Sequence, residues 1–151
     1  KTVTTTTRSL RDGEVNGVSY HFVNKKEFKD LMEANAFVET AFYQNECYGT
    51  QKADLCKKGV IILEPNGANS LVDYLEDEAF VVLIQSSKEL REIRMIKRGD
   101  SPEEIKRRLK KDDQHFAKNN LKKIDLLLNN HNQSLEELAD TINKEYKNRC
   151  L

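Results

Sequence analysis

Residues 60–84 read VIILEPNGANSLVDYLEDEAFVVLI. Val60-Ile61-Ile62-Leu63 and Phe80-Val81-Val82-Leu83-Ile84 are short, unbroken apolar runs, the pattern of strands buried on both faces of a parallel sheet. Parallel neighbours need a crossover. Ala68 to Glu76 supplies a helical stretch between the runs, so the segment predicts a right-handed βαβ unit. Ile124-Asp125-Leu126-Leu127-Leu128 predicts a third buried strand. Polar residues follow each run, namely Glu64, Gln85 and Asn130, at the carboxyl ends where such sheets hold ligands. That is an expectation from architecture, and the same architecture serves many functions.

Upstream the character differs. Residues 1–23 hold the turns Arg11-Asp12-Gly13 and Asn16-Gly17 and then alternate through Tyr20, His21 and Phe22, which predicts strands joined by tight turns. Lys25 to Asn35 places Phe28, Leu31 and Met32 on one face of a short helix that Asn24 can cap. Phe37 to Tyr43 alternates again, and Asn45 to Thr50 supplies a turn. This half predicts a small mixed α/β unit. Downstream, Ser101-Pro102-Glu103-Glu104 and Ser134-Leu135-Glu136-Glu137 are capping boxes. The first opens a helix with Ile105 and Leu109 on one face, the second a helix with Leu135, Leu138 and Ile142 inward.

The 151 residues fit one domain, and 25 Lys and Arg balance 25 Asp and Glu. No overall charge excess points to nucleic acid or a membrane surface as partner, so any anion site must be local. No apolar run approaches the length of a bilayer span and no secretory signal is visible. Cys47, Cys56 and Cys150 are widely separated, without CxxC or companion histidines, and predict free thiols in a cytoplasmic protein rather than a disulfide framework or a zinc site.

Arg8 and Arg11 stand three apart beside a turn, with Tyr20 shortly after. Guanidinium forks bind phosphate bidentately and a tyrosine hydroxyl adds a donor. By themselves these residues fit a phosphomonoester site or a solvated surface. Thr5-Thr6-Thr7-Arg8-Ser9-Leu10-Arg11 with Gly13-Glu14, Gly17 and Tyr20-His21-Phe22 resembles the TTR-x-x-R-x-GE-x-x-G-x-x-Y-x-F pattern of the guanylate kinase family. Further motifs follow in order. Phe37-Val38-Glu39 resembles F-[IL]-E, Tyr48-Gly49-Thr50 resembles Y-G-[ST], and Glu64-Pro65-Asn66-Gly67 sits where D-x-Q-G is usual. Arg94 with Lys97-Arg98-Gly99 resembles the lid's R-x-x-x-R-G, Arg107-Arg108-Leu109 its basic end, and Asp125 to Asn130 the family's D-[YF]-x-[IV]-x-N.

The resemblance implies an α/β fold with the parallel sheet of the P-loop nucleoside monophosphate kinases, an inserted GMP-binding subdomain and a helical lid. Within one domain it implies a GMP-binding part over 1–55, a core over 56–92 and 117–151, and a lid over 93–116. It implies transfer of the ATP γ-phosphoryl group to GMP, with Mg²⁺. Arg8, Arg11, Tyr20 and Tyr48 would hold the GMP phosphate, while Thr4, Glu39 and Thr50 would recognise guanine, with Glu64 nearby. A carboxylate at Glu39 can accept from both N1–H and the exocyclic amine, an arrangement adenine does not offer. Arg94, Arg98 and Arg108 would close over the ATP phosphates, and Asn130 would lie near adenine, with Asn129 leaving that register open. GMP and ATP are the implied partners of a monomer or homodimer.

The sequence departs from the pattern in three places, one of which, Thr4 in place of serine, conserves the hydroxyl. No G-x-x-x-x-G-K-[ST] occurs within it, which predicts a sequence that starts late or a degenerate member, inactive as it stands. Ile62 also occupies the first position of the usual D-x-D, which bears on the magnesium-water shell more than on GMP. The alternative expectation is a guanylate kinase-like module that binds phosphopeptides without catalysis. Retention of Glu39, the lid arginines and Asn130 favours nucleotide chemistry.

Overall fold

The computed structural model describes residues 1–43, 45–131 and 133–150, with only the backbone for Cys150. The chain divides after Tyr74 into two compact units.

The first unit is built on a four-stranded sheet in the order β2-β1-β4-β3, with β1 Thr5–Thr6, β2 His21–Phe22, β3 Phe37–Tyr43 and β4 Glu46–Gln51. Strand β1 runs parallel to β2 and antiparallel to β4, and β3 and β4 form an antiparallel pair. The expected turn over Asn45 to Thr50 is confined to its start. Asn45 takes a left-handed φ of 64°, and the residues after it become β4, because Cys47-Tyr48-Gly49 carry the ladder to both neighbours. Helix α1, Lys25–Glu33, starts at the predicted cap. Asn24 Oδ1 accepts from the Glu27 amide, and the Glu27 carboxylate accepts from the Asn24 amide, at 2.9 and 2.8 Å. It buries Phe28 against Phe37, the rings stacked 4.7 Å apart. Gly49 sits on that side of the sheet because a Cβ there would stand 2.8 Å from the Phe37 ring.

The run Val60 to Leu63 is not a strand, contrary to expectation. Composition sets a preference for burial, but a strand exists only with a partner ladder. Among the described residues the only backbone bond to this run is from the Thr2 amide to the Val60 carbonyl, 2.9 Å. Val60 and Ile62 are largely exposed. Helix α2, Pro65–Leu75, starts earlier than the expected Ala68, because the Glu64 carboxylate caps it by accepting from the Asn66 and Gly67 amides at 3.1 and 2.6 Å.

In the second unit β5, Val82–Gln85, pairs in parallel with β6, Leu126–Asn129. Both begin later than predicted because the Asp125 side chain takes the Val81 amide at 2.7 Å, and the Val81 carbonyl receives the Asp125 and Leu126 amides. Burial on both faces is not found. Leu83 is buried while Ile84 and Leu127 are exposed. Helices α3, Lys88–Arg98, and α4, Pro102–His115, lie between these strands in sequence, joined by Gly99-Asp100-Ser101. Gly99 at φ 86° ends α3, its amide and that of Asp100 returning to the Ile96 and Met95 carbonyls, and Ser101 opens α4 with the predicted capping box. Met95, Ile105 and Leu109 form a buried cluster in this hairpin. Helix α5, Leu135–Cys150, buries Leu138 as expected, but Leu135, in its first position, faces solvent. Cys47 and Cys56 are free thiols, and the expected thiol of Cys150 lies outside the described residues.

Leu109→Ala removes the most buried member of that cluster. It should lower the free energy of unfolding by about 2–5 kcal/mol, read as a drop in the urea midpoint.

Candidate functional site

Two groups of predicted residues assemble on the first unit. Tyr48 and Thr50 are two apart on β4, so they share one face of the sheet about 7 Å apart along the strand. Glu39 pairs with Thr50 across β3 and β4, and Thr6 pairs with Tyr48 across β1 and β4. The same register, continued by one residue, sets Thr4 opposite Thr50. Thr4 itself is half-buried.

Glu39 is buried, and its Oε1 accepts a 2.6 Å hydrogen bond from the hydroxyl of Thr50, which is fully buried. Its other oxygen, Oε2, faces the start of α2. Burial raises the Glu39 carboxyl above the ordinary glutamate value. The Thr50 bond opposes that rise, and the nearby Glu64 carboxylate adds to it. Glu64 is itself half-buried and engaged with the α2 amides. An open cavity of about 180 Å³ at the head of β3 is lined by Met32, Asn35, Phe37, Val38, Glu39 and Thr40; of the predicted residues it includes Glu39 alone.

Arg8 is the centre of the second group. Its guanidinium forks onto Glu14, Nη1 to Oε2 at 3.0 Å and Nη2 to Oε1 at 2.7 Å, and lies 5.4 Å from the Tyr20 ring centre. Tyr20 meets Tyr48 edge-on at 6.5 Å. Glu14, and to a lesser degree the Tyr48 hydroxyl, hold the Arg8 guanidinium still more firmly protonated. In return Arg8, with the Arg11 amide, depresses the Glu14 carboxyl. Arg11 is exposed; its amide donates to Glu14 Oε2 at 2.8 Å. Glu14 went unassigned in the sequence, although its place three residues after Arg11 in a Gly-Glu turn was the available signal.

The second unit gathers the other predicted residues. Asp100 accepts from Arg98 Nε at 3.1 Å, from Arg98 Nη2, and from Arg108 Nη1 at 3.2 Å. Arg98 first, then Arg108, holds its carboxyl below the usual range. Arg94, one turn earlier on α3, donates through Nη2 to Asn130 Oδ1 at 3.3 Å. Asn130 is buried, with its amide on the Gln85 carbonyl at 2.7 Å, whereas Asn129 is exposed. Among the described residues no group of three or more His, Cys, Asp or Glu could hold a metal ion, and no helix is long and apolar enough to cross a membrane.

The sequence profile named "Guanylate kinase" matches residues 1–145. A guanylate kinase of Clostridium perfringens (strain SM101 / Type A) is 37% identical over 115 residues, which are 72% of this chain and 53% of that protein. One of Prochlorococcus marinus subsp. pastoris (strain CCMP1986 / NIES-2087 / MED4) is 32% identical over 136 residues, 85% of this chain and 73% of the relative. The chain thus spans about half the length of the Clostridium relative. The crystal structure of guanylate kinase from Anaplasma phagocytophilum superposes with a TM-score of 0.74 at 25% identity, covering 99% of this chain and 76% of that one. The fold is therefore that of the nucleoside monophosphate kinases.

Because folding raises the Glu39 carboxyl, the folded chain holds a proton that the unfolded chain has released, and its stability falls as pH rises above the ordinary value of 4.5. Glu39→Gln removes that loss. Its melting temperature should match the wild type near pH 4, exceed it as pH rises through the raised carboxyl value of the folded chain, and then keep a constant lead; parallel curves throughout would contradict the assignment.

Proposed function

We infer that the chain, which belongs to the guanylate kinase family, carries the GMP site and the phosphate-closing arginines of an ATP:GMP phosphotransferase, an enzyme producing GDP and ADP. The observation that carries the reading is the Glu39–Thr50 pair, a carboxylate held out of water on the same sheet face as Tyr48 and close to the Arg8 cluster. A solvated strand glutamate needs no such burial. An anionic phosphopeptide gains nothing from a buried carboxylate either, since like charges repel there.

In this reading guanine presents N1–H and its 2-amino group to Glu39, with Thr50 fixing one carboxylate oxygen and Thr4 contributing its hydroxyl. The 5′-phosphate displaces the Glu14 carboxylate from Arg8 and takes up the fork. Arg11, Tyr20 and Tyr48 complete the donor set. Phosphoryl transfer is mainly positioning and neutralisation of charge. Arg94, Arg98 and Arg108 supply that charge, released from Asn130 and Asp100 onto the phosphates of ATP, and Asn130 is left to the adenine.

The parts expected from the sequence serve these steps: GMP binding over 1–55, a lid over 93–116, and a core over 56–92 and 117–151. Magnesium would supply Lewis-acid neutralisation of the ATP phosphates. The residues here do not form a protein cage for it, because Ile62 stands at one usual acidic position and Glu64 is bound to two backbone amides. The ion's ligands must come chiefly from phosphate and water, as is common for Mg²⁺. The reaction fits a cytoplasmic enzyme working on soluble nucleotides, as a monomer or homodimer.

Calorimetric titration of the chain with GMP, AMP and ATP tests the reading. GMP should bind and AMP should not compete. Glu39→Ala should abolish saturable GMP binding, and Arg8→Ala should weaken it by roughly 10- to 100-fold, the loss of charge-assisted hydrogen bonds to the phosphate. Failure of GMP to bind at millimolar concentration would show the reading to be wrong.

A further inference from the structure

Gly67 is the third residue of α2 and is buried. Its backbone does not require glycine, because φ is not positive there, in contrast to Gly13, Gly17 and Gly99. Glycine inside a helix is unfavourable relative to alanine. The reason for it must therefore be what a side chain would meet. A Cβ at residue 67 would stand 2.9 Å from Glu39 Oε2, and 3.5 Å from both Glu39 Cδ and Glu64 Oε1.

A carboxylate at the end of a glutamate can usually swing away from such a contact, but this one is restrained from both sides. Glu39 Oε1 is bonded to the buried Thr50 hydroxyl, and the Glu39 backbone lies in the β3–β4 ladder. Retreat of the helix is opposed as well, since Pro65 and Gly67 in its first turn are both buried. A methyl group at position 67 therefore turns the Glu39 carboxylate out of the orientation in which both oxygens are available.

We propose that Gly67 is a specificity-determining position for the nucleobase: by having no side chain it leaves room for Glu39 to present two carboxylate oxygens in fixed orientation. It rests on the GMP reading above and assigns part of its base selectivity to a residue that touches no ligand. The ligand feature read by the second oxygen is a 2-amino group on the purine. Guanine has it and hypoxanthine lacks it, while both carry N1–H. A methyl at position 67 should therefore cost GMP more than it costs inosine monophosphate.

Calorimetry of the wild-type chain and Gly67→Ala with GMP and inosine monophosphate, together with their melting temperatures, provides the test. The wild type should prefer GMP. The variant should lose roughly 10-fold or more in GMP affinity and much less for inosine monophosphate, at a lower melting temperature. Glu39→Asp in that background withdraws the carboxylate by one methylene and should restore the melting temperature, reporting the same clash through stability. Unchanged GMP affinity, an equal loss for both nucleotides, or an unfolded variant that Glu39→Asp does not repair would each overturn the proposal. Absence of GMP binding by the wild type is a different result: it removes the GMP reading itself, and the role of Gly67 with it.

Discussion

The hydrogen bond from Thr50 to Glu39 fixes the geometry on which the first unit's chemistry depends. It joins β3 to β4 by side chains at a position where the backbone ladder shifts register between Phe37 and Glu39. It also holds an acid where water is largely excluded. A desolvated carboxylate is costly unless donors meet it, and here one oxygen receives a hydroxyl while the other faces the start of α2. The raised proton affinity of Glu39 is the electrostatic expression of that incomplete satisfaction. Burial of this kind makes a recognition group sensitive to the match between donor and acceptor, because a partner lacking a donor leaves the acid unpaired.

The arginines follow the opposite design. Arg8 is matched by Glu14, and Arg98 and Arg108 by Asp100. Pairing keeps the guanidinium forks oriented without a ligand and prevents like-charge repulsion between Arg98 and Arg108. It also means that phosphate must outcompete a carboxylate, so its net gain is smaller than a bare arginine would give. On the proposed reading, the phosphate subsite is preorganised and contributes less than bare arginines would.

Elements with local causes could be read from the sequence. The Asn24 and Ser101 capping boxes are set by residues within one turn of each other, and α1 and α4 stand where those signals put them. Strands were less legible because their existence depends on a distant partner. Val60 to Leu63 has the composition of a strand and no ladder among the described residues, while Asn45 to Thr50 read as a turn and falls mostly within β4, which is paired on both edges. The candidate site shows the same division. Arg8, Tyr20, Glu39, Tyr48 and Thr50 were singled out through the resemblance of their motifs to those of a known family. The partners that hold them were missed: Glu14, Asp100 and the bare Cα of Gly67 act through contacts that only the folded chain creates.

On the proposed reading, these two arrangements divide affinity from selectivity. Every nucleoside monophosphate brings a phosphate, so a strongly attractive arginine cluster would favour all of them alike and could not tell guanine from adenine. Neutralising Arg8 with Glu14 limits that shared contribution. Leaving Glu39 short of donors gives the base edge a larger part in deciding which ligand stays, since only a purine with donors in the right places relieves the buried charge. The placement of Tyr48 and Thr50 two residues apart on one strand face then makes the two decisions simultaneous, because a ligand seated on one is held in register with the other. Selectivity in such a site resides less in the strength of any single contact than in the cost of leaving the carboxylate unsatisfied.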